Sequence, residues 1–391
     1  MVMFHYFVNQ PYLGYPHEAA ADFGAVMFKF SNRHFDPEKA AKLYARYHRE
    51  FALADQLGFD SILVNEHHNA PAAMSPSPNI SATVLAKITS RAKIFIGGNI
   101  LPIHGNPLRL AEELAMIDLI SGGRLIAGFV RGGAVESLAH DANTVHNREV
   151  FDEAHRLILK IWTEPGPFCW EGKHFQYRVV NPWMLPLQKP HPPIMVPGST
   201  SAETVLWAAE HGYPYIALAT RLEATDGLFK TYDDALRRRG IEPTPAHHGY
   251  VIRVHVAATD EQAHTEARAL FSGRIAQVSS MTDIKIHPDA GAWMAPPGYV
   301  SKEAARQRRK FMGGTPYAFY AQGYDKALET AQIVVGSPDT VIAKLDQLRK
   351  RWNLGHIGVA HFPSEDESVT ERWIAAIATQ VLPRLKESTL G

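Results

Sequence analysis

Short runs of Val, Ile, Leu, Phe and Ala alternate along the chain with longer stretches in which apolar residues recur every three to four positions. The short runs fall at 2–8, 61–65, 93–100, 124–130, 193–197, 214–219, 250–257 and 356–360. Each is too short for a typical helix and almost continuously apolar, as strands of a parallel sheet are when both faces are buried. The longer stretches carry helix punctuation. Glu38 to Leu57 places Leu43, Tyr47, Phe51, Ala54 and Leu57 on one stripe, with Pro37 at its entry and Gly58 at its exit. Pro107 to Ile120 repeats this grammar before Ser121-Gly122-Gly123, and Ser337-Pro338-Asp339 opens a further helix running toward Gly355. Strand–helix units repeated about eight times predict an α/β fold, a (β/α)₈ TIM barrel with insertions. An open doubly wound sheet is the alternative that periodicity leaves standing.

Two regions break the rhythm, and both read as insertions in a single barrel domain over 1–391. Residues 163–192 hold six prolines and no sustained periodicity. Residues 280–325 place Pro288, Pro296-Pro297-Gly298 and Gly313-Gly314 around a basic helix. Long irregular insertions in compact domains commonly serve as lids or binding loops, or as surface embellishments; the second is expected to be an active-site lid.

Composition removes several functions. Lys+Arg and Asp+Glu both number 40, so the basic footprint of a nucleic-acid partner is missing. Arg237-Arg238-Arg239 and Arg306 to Lys310 read as solvated helix faces. No apolar run is long enough to cross a bilayer, and the start at Met3 to Val8 reads as a first strand, so a cytoplasmic protein without membrane association is expected. The lone cysteine, Cys169, can build neither a disulfide framework nor a cysteine metal site, and its aromatic neighbours Phe168 and Trp170 suggest a packed thiol.

Barrel active sites lie at the C-terminal strand ends, which directs attention to four places. The second strand ends in Glu66-His67-His68-Asn69. Adjacent extended residues point to opposite faces, so the two histidines chelate one ion poorly, and no metal is expected. One imidazole facing the mouth as acid, base or donor is the better reading. The third strand holds Gly97-Gly98-Asn99, where glycine marks a bulge or a ligand approaching the backbone closely. The fourth ends in Val130-Arg131-Gly132-Gly133, a guanidinium beside free amides that suits a phosphate. The fifth leads through Gly198-Ser199-Thr200-Ser201 into a helix from Ala202 to Gly212. Thr200-x-x-Glu203 fits a capping box, and the same helix start suits an anion.

Together these segments resemble the luciferase-like flavin-dependent monooxygenase family. The resemblance is densest over Ile96 to Pro102, Asn106 to Ala115, Asp118, Ser121 to Leu125 and Gly128 to Gly132. Glu66-His67-His68, Leu159 to Thr163, Pro193 to Ser199 and Val335 to Pro338 agree in order and spacing. It covers nearly the whole chain and is weakest at 220–330. The resemblance implies an FMN-dependent, two-component monooxygenase, often dimeric. Reduced FMN (FMNH2) comes from a separate NAD(P)H:flavin reductase, and O2 adds at flavin C4a to form the peroxyflavin that oxygenates a small organic substrate. By the same resemblance His67 is catalytic, Gly97, Gly98 and Asn99 lie under the isoalloxazine ring, often through a non-prolyl cis peptide, and Val130 falls beside them. Arg131, Gly198, Ser199 and Thr200 match positions that hold the FMN phosphate. Bacterial luciferases carry a reactive cysteine where this chain has Val130, which argues against light emission. A deazaflavin-dependent oxidoreductase of the same fold, a non-catalytic flavin-binding relative and a metal-dependent barrel hydrolase are the competing functions. Substrate choice is expected in the loops at 69–78, 131–146 and 280–325, with Trp293, Met294 and Phe319 as an apolar wall.

Overall fold

In a computed structural model of the chain, the described residues are 2–16, 30–199, 201–282 and 323–387. The strands are β1 (Met3–Phe7), β2 (Ser61–Val64), β3 (Lys93–Ile96), β4 (Asn99–Ile100), β5 (Leu125–Val130), β6 (Phe168–Glu171), β7 (Gln176–Val180), β8 (Ile194–Gly198), β9 (Tyr215–Leu218), β10 (His248–Val256), β11 (Ile333–Gly336) and β12 (His356–Ala360). Parallel pairing runs β1–β2–β3–β5–β8–β9–β10–β12 and returns to β1, closing an eight-stranded (β/α)₈ barrel. Its eight strands are the eight runs expected from the sequence. β4 prolongs β3 and pairs with β5, while β11, which the apolar pattern had not marked as a strand, pairs with the second half of β10.

Alternation along the strands sorts side chains into two sets. Inside the barrel, Leu63, Phe95, Ile126, Met195, Ile216 and Val251 form a compact cluster, joined by Met3, Phe7 and Leu218. The intervening residues face the helices and form the larger outer core. His5 and His356 pair inside the barrel, Nε2 to Nδ1 at 3.3 Å. Burial, and then the neighbouring His356, push His5 well below its usual value. Burial brings His356 to about 4.

The helices end where their punctuation says. Helix α1 (Pro37–Leu57) is capped by Asp36, whose carboxylate accepts from the Glu38 and Lys39 amides, and it stops at Gly58 with φ 108°. Helix α2 (Pro78–Ile88) is followed by α3 (Pro107–Ser121), which is capped by Asn106 and ended by Gly122 at φ 68°. Arg124, in the Ser121-Gly122-Gly123-Arg124 motif, donates to the carbonyls of Ala86, Thr89 and Ala92. That motif therefore clamps the end of α2 to the barrel wall. The C-terminal helix signal at Ser337-Pro338 gives a helix from Pro338 to Arg351.

Two expectations need correction. The 163–192 excursion contains an antiparallel hairpin, β6–β7, held on helix α5 (Asn147–Thr163) by Glu153, which accepts from Trp170 Nε1 and the His174 and Phe175 amides. Alternation is short there, so it escaped a periodicity reading. Cys169 is exposed, not packed, and its thiol donates to the Arg178 carbonyl across the hairpin. A two-stranded sheet has a solvent face, and alternation puts Cys169 on it. Arg237, Arg238 and Arg239 are exposed as expected. Most of the 280–325 insertion, including Arg306 to Lys310, Trp293, Met294 and Phe319, lies outside the described residues. Among the described residues, no helix is long and apolar enough to cross a membrane.

Candidate active site

The strands that carry the expected site residues are consecutive in the barrel wall: β2, β3 with β4, β5 and β8. Past β2 the inward alternation of Leu63 continues at Asn65, whose amide donates to Asn9 Oδ1 at 2.9 Å across the mouth. The next residue in that alternation is His67. Its Nδ1 lies 3.0 Å from Glu136 Oε1, and its side chain stays 27% exposed. Glu136 sits on the short helix α4 (Ala134–Ala139), and its other oxygen accepts from the Gly133 amide at 2.9 Å. Burial alone would raise this carboxyl. The hydrogen bond and charge of His67, with the Glu136 and Gly133 amides, outweigh burial and hold it below the usual range.

His68 turns the other way. Its Nε2 is 3.0 Å from Glu66 Oε1, while Glu66 Oε2 accepts from the Ile100 amide at 2.8 Å and lies 3.3 Å from His104 Nε2. Burial again works to raise Glu66, but the His104 and His68 hydrogen bonds and the Ile100 amide hold it at about 2. Its charge therefore pins β4 to the end of β2. His140, just past α4, packs edge-on against His68 at 4.2 Å and reaches the Glu136 carbonyl. Adjacent histidines thus serve different carboxylates, and among the described residues no group of three or more His, Cys, Asp or Glu is arranged to hold a metal.

Between β3 and β4 the Gly97–Gly98 peptide is cis. The two glycines have different surroundings. A Cβ on Gly98 would lie 2.4 Å from the Gly128 carbonyl oxygen, so the close approach of β4 to β5 excludes any side chain. The nearest atoms to a Cβ on Gly97 would be Leu63 Cγ and Pro197 Cγ, each at 3.4 Å, and Leu63 Cδ2 at 3.5 Å, all of them side-chain carbons. Gly97 therefore presents a bare face above an apolar floor. Asn99 pairs in register with Phe129, whose ring packs on His155 and Trp162 of α5. Register thus puts the Asn99 side chain on the outer side of the wall, leaving its backbone to border the mouth.

On β5, Val130 pairs with Ile100, and Arg131 follows, half-buried. Gly132 has φ +74°, and a Cβ there would come within 2.5 Å of Ile100 Cγ2, so only glycine fits this turn. β5 pairs with β8 through Gly128 and Met195, and continuing that register brings Arg131 level with Gly198. Gly198 packs on the Tyr215 ring, where a Cβ would lie 2.8 Å from Cε2. Ser199 follows, half-buried; Thr200 lies outside the described residues. Helix α6 (Ala202–His211) is capped by Ser201, whose hydroxyl accepts from the Thr204 amide, so the cap falls one residue later than the Thr200 pattern. The reason is local: Ser201 occupies the extended position whose side chain reaches the third helical amide.

Sequence reading missed Glu136, His104 and His140, whose roles depend on loops meeting. It also missed Arg148, whose guanidinium is 2.8 Å from Glu203 in the first turn of α6. A cation in the first turn of its own helix α5 opposes the helix dipole, which was the available signal.

Fold and site together define a parallel α/β barrel whose C-terminal strand ends carry, on successive strands, an imidazole, a bare glycine face, an arginine and a helix start. Residues 26–352 match the model of the luciferase-like monooxygenases, and the chain belongs to that family. It is 25% identical over 232 residues to 2,5-diketocamphane 1,2-monooxygenase 2 of Pseudomonas putida, covering 56% of this chain and 63% of that protein. The match thus spans less than two thirds of that relative. Among solved structures it is similar to the oxygenating constituent of 3,6-diketocamphane monooxygenase of Pseudomonas putida, a type II Baeyer–Villiger monooxygenase in complex with FMN. That likeness has a TM-score of 0.73 at 21% identity and covers 98% of this chain and 99% of the other. An F420-dependent secondary alcohol dehydrogenase shares the architecture with a TM-score of 0.67 at 14% identity, covering 98% and 99%.

Proposed function

We propose that the protein is the oxygenase component of a two-component monooxygenase, using reduced FMN and O2 to oxygenate a small organic substrate. The observation that carries this is the order of groups along the mouth. The bare face of Gly97 lies between the His67 imidazole on one side and Arg131 with the start of α6 on the other. A flat ring fits the first, and a phosphate fits the second.

In this reading Arg131, with Gly198, Ser199 and Thr200, would hold the phosphate of FMN. Gly97, Gly98 and the Asn99 backbone bound the seat of the ring, with Val130 beside it. Bound reduced FMN supplies the two electrons that activate O2. The protein's own contribution is to orient the ring, to keep water out over the apolar floor of Leu63 and Pro197, and to hold a proton at His67. His67 is the catalytic residue of this reading. The name of the structural relative describes an oxygenating constituent, which supports a separate NAD(P)H:flavin reductase as partner; a homodimer is also proposed.

The test is an oxygenation screen with a generic flavin reductase, FMN and a panel of aldehydes, ketones and aromatics. Product carrying one atom of ¹⁸O from labelled O2 is expected. Substrate-dependent hydride transfer with a deazaflavin and no oxygen uptake would overturn the reading.

A further inference from the structure

We propose that Glu136 is a positioning residue for the mouth: it fixes His67 in one tautomer, with the proton on Nδ1, and so presents Nε2 as the working atom. The role of His67 itself rests on the function proposed above; the tautomer does not.

Glu136 is 3% exposed and lies 69 residues from His67 in sequence. Its two oxygens are divided between two neighbours. Oε2 accepts from the Gly133 amide at 2.9 Å, and that amide can only donate. Oε1 faces His67 Nδ1 at 3.0 Å. An ionised carboxylate can only accept, so Nδ1 must carry the hydrogen, and the neutral ring then has its lone pair on Nε2. The Glu136 contact is at Nδ1, and the side chain remains 27% exposed, so the far edge is the one open to a ligand. Base and orienter in this relation recur wherever a histidine must be held in one tautomer for proton transfer. The neighbouring pair makes the contrast: His68 meets Glu66 through Nε2, is only 14% exposed, and has its ring covered by His140. Of the two adjacent histidines, the one with the Glu136 carboxylate behind it is the more exposed.

Glu136→Gln tests this because the Gly133 amide dictates how glutamine sits. Its carbonyl must face Gly133, which turns its NH2 toward His67. Nδ1 then has to accept, and the ring proton moves to Nε2. ¹⁵N NMR of histidine-labelled protein, without flavin and in mildly alkaline buffer, reads the tautomer directly, with His67 assigned by its loss in His67→Ala. We expect the Nδ1–H form in the parent and the Nε2–H form in Glu136→Gln. An Nε2–H parent, or the same tautomer in both proteins, overturns the proposal.

A double-mutant cycle then separates positioning from mere packing. Glu136→Gln is expected to cut product formed per reduced flavin by about ten- to a hundredfold, less than the roughly 10²–10⁴-fold for removing the acid–base group itself, because the imidazole remains. In a His67→Ala background the same change should alter product by less than about twofold, because the two residues act as one unit. Losses that multiply would show that Glu136 acts independently of His67 and overturn the proposal. If the parent oxygenates nothing in the panel, the monooxygenase reading fails while the tautomer measurement still decides the pairing.

Discussion

Gly97 and Gly98 are neighbours with opposite reasons for being glycine, and alanine substitutions separate them. In Gly98→Ala the new methyl would sit 2.4 Å from the Gly128 oxygen, 2.5 Å from its carbonyl carbon and 2.9 Å from the Phe129 nitrogen. All three are main-chain atoms of the partner strand, so no side chain can rotate away. Ordinary carbon contacts are about 3.5–4.0 Å, so β4 and β5 must part by about 1 Å and strain or lose their pairing. Overpacking of this kind costs about 1–3 kcal/mol, and a weakened buried backbone hydrogen bond adds a similar amount. We therefore expect a loss of about 3 kcal/mol or more, seen as a melting temperature lower by roughly 4 °C or more. In Gly97→Ala the methyl meets two side-chain carbons at 3.4 Å, an ordinary contact. Its melting temperature should stay within about 2 °C of the parent, since the smaller unfolded-state entropy offsets slight crowding. Yet this methyl projects from the surface proposed to seat the flavin ring, so FMN should bind about tenfold more weakly, roughly 1.4 kcal/mol. Differential scanning fluorimetry and fluorescence titration with FMN read the two quantities. A Gly98→Ala protein that melts with the parent would refute the β4–β5 packing argument. Parent-like FMN affinity in Gly97→Ala would refute the ring seat.

Removing the imidazole in His67→Ala should lower oxygenation about 10²–10⁴-fold with little change in FMN affinity, whereas His68→Ala should mainly lower stability, because it strips a hydrogen bond from buried Glu66; the reverse pattern in turnover and melting assays would mean the mouth-facing register is off by one. Arg131→Ala should weaken FMN about tenfold or more, the worth of a charge-assisted bond, and the parent should bind FMN clearly better than riboflavin; equal affinities would refute the phosphate assignment. Acid should destabilise the fold in two overlapping windows. Both His5 and His356 are neutral above the ordinary histidine value of 6.5. As pH falls from there toward about 4 for His356, the unfolded chain takes up protons the folded chain refuses, an effect of about 3 kcal/mol for that residue. Glu66 adds a second loss as pH falls from 4.5 toward about 2, when its ionised form stops favouring the fold. Urea unfolding at about pH 7 and about pH 5 should show the first slope, and His356→Asn should flatten it; a stability independent of pH over that range would refute the neutral pair.

Much of this molecule was written locally. Every barrel strand stood out as a short apolar run, because burial on both faces leaves no polar alternation to confuse it. Helix ends were legible at Pro37 and Gly58, and at Pro107 and Gly122, because helix entries and left-handed exits are chemistry within a few residues. The opposite facing of His67 and His68 also followed from alternation alone. Longer-range arrangements did not. Closure through β10, β12 and β1 depends on strands up to some 350 residues apart meeting edge to edge. The carboxylate behind His67 comes from another loop, and nothing near Glu136 in sequence announces it. Gly97 and Gly98 look alike on paper; only the approach of Gly128 to one and of Leu63 and Pro197 to the other gives them different jobs. The exposure of Cys169 likewise had to wait for the hairpin that carries it. Sequence determined which segments fold and how each begins and ends, since those are energies of neighbouring residues. The tertiary structure decided which side chains share a site, because distance in space between loops has no local signature.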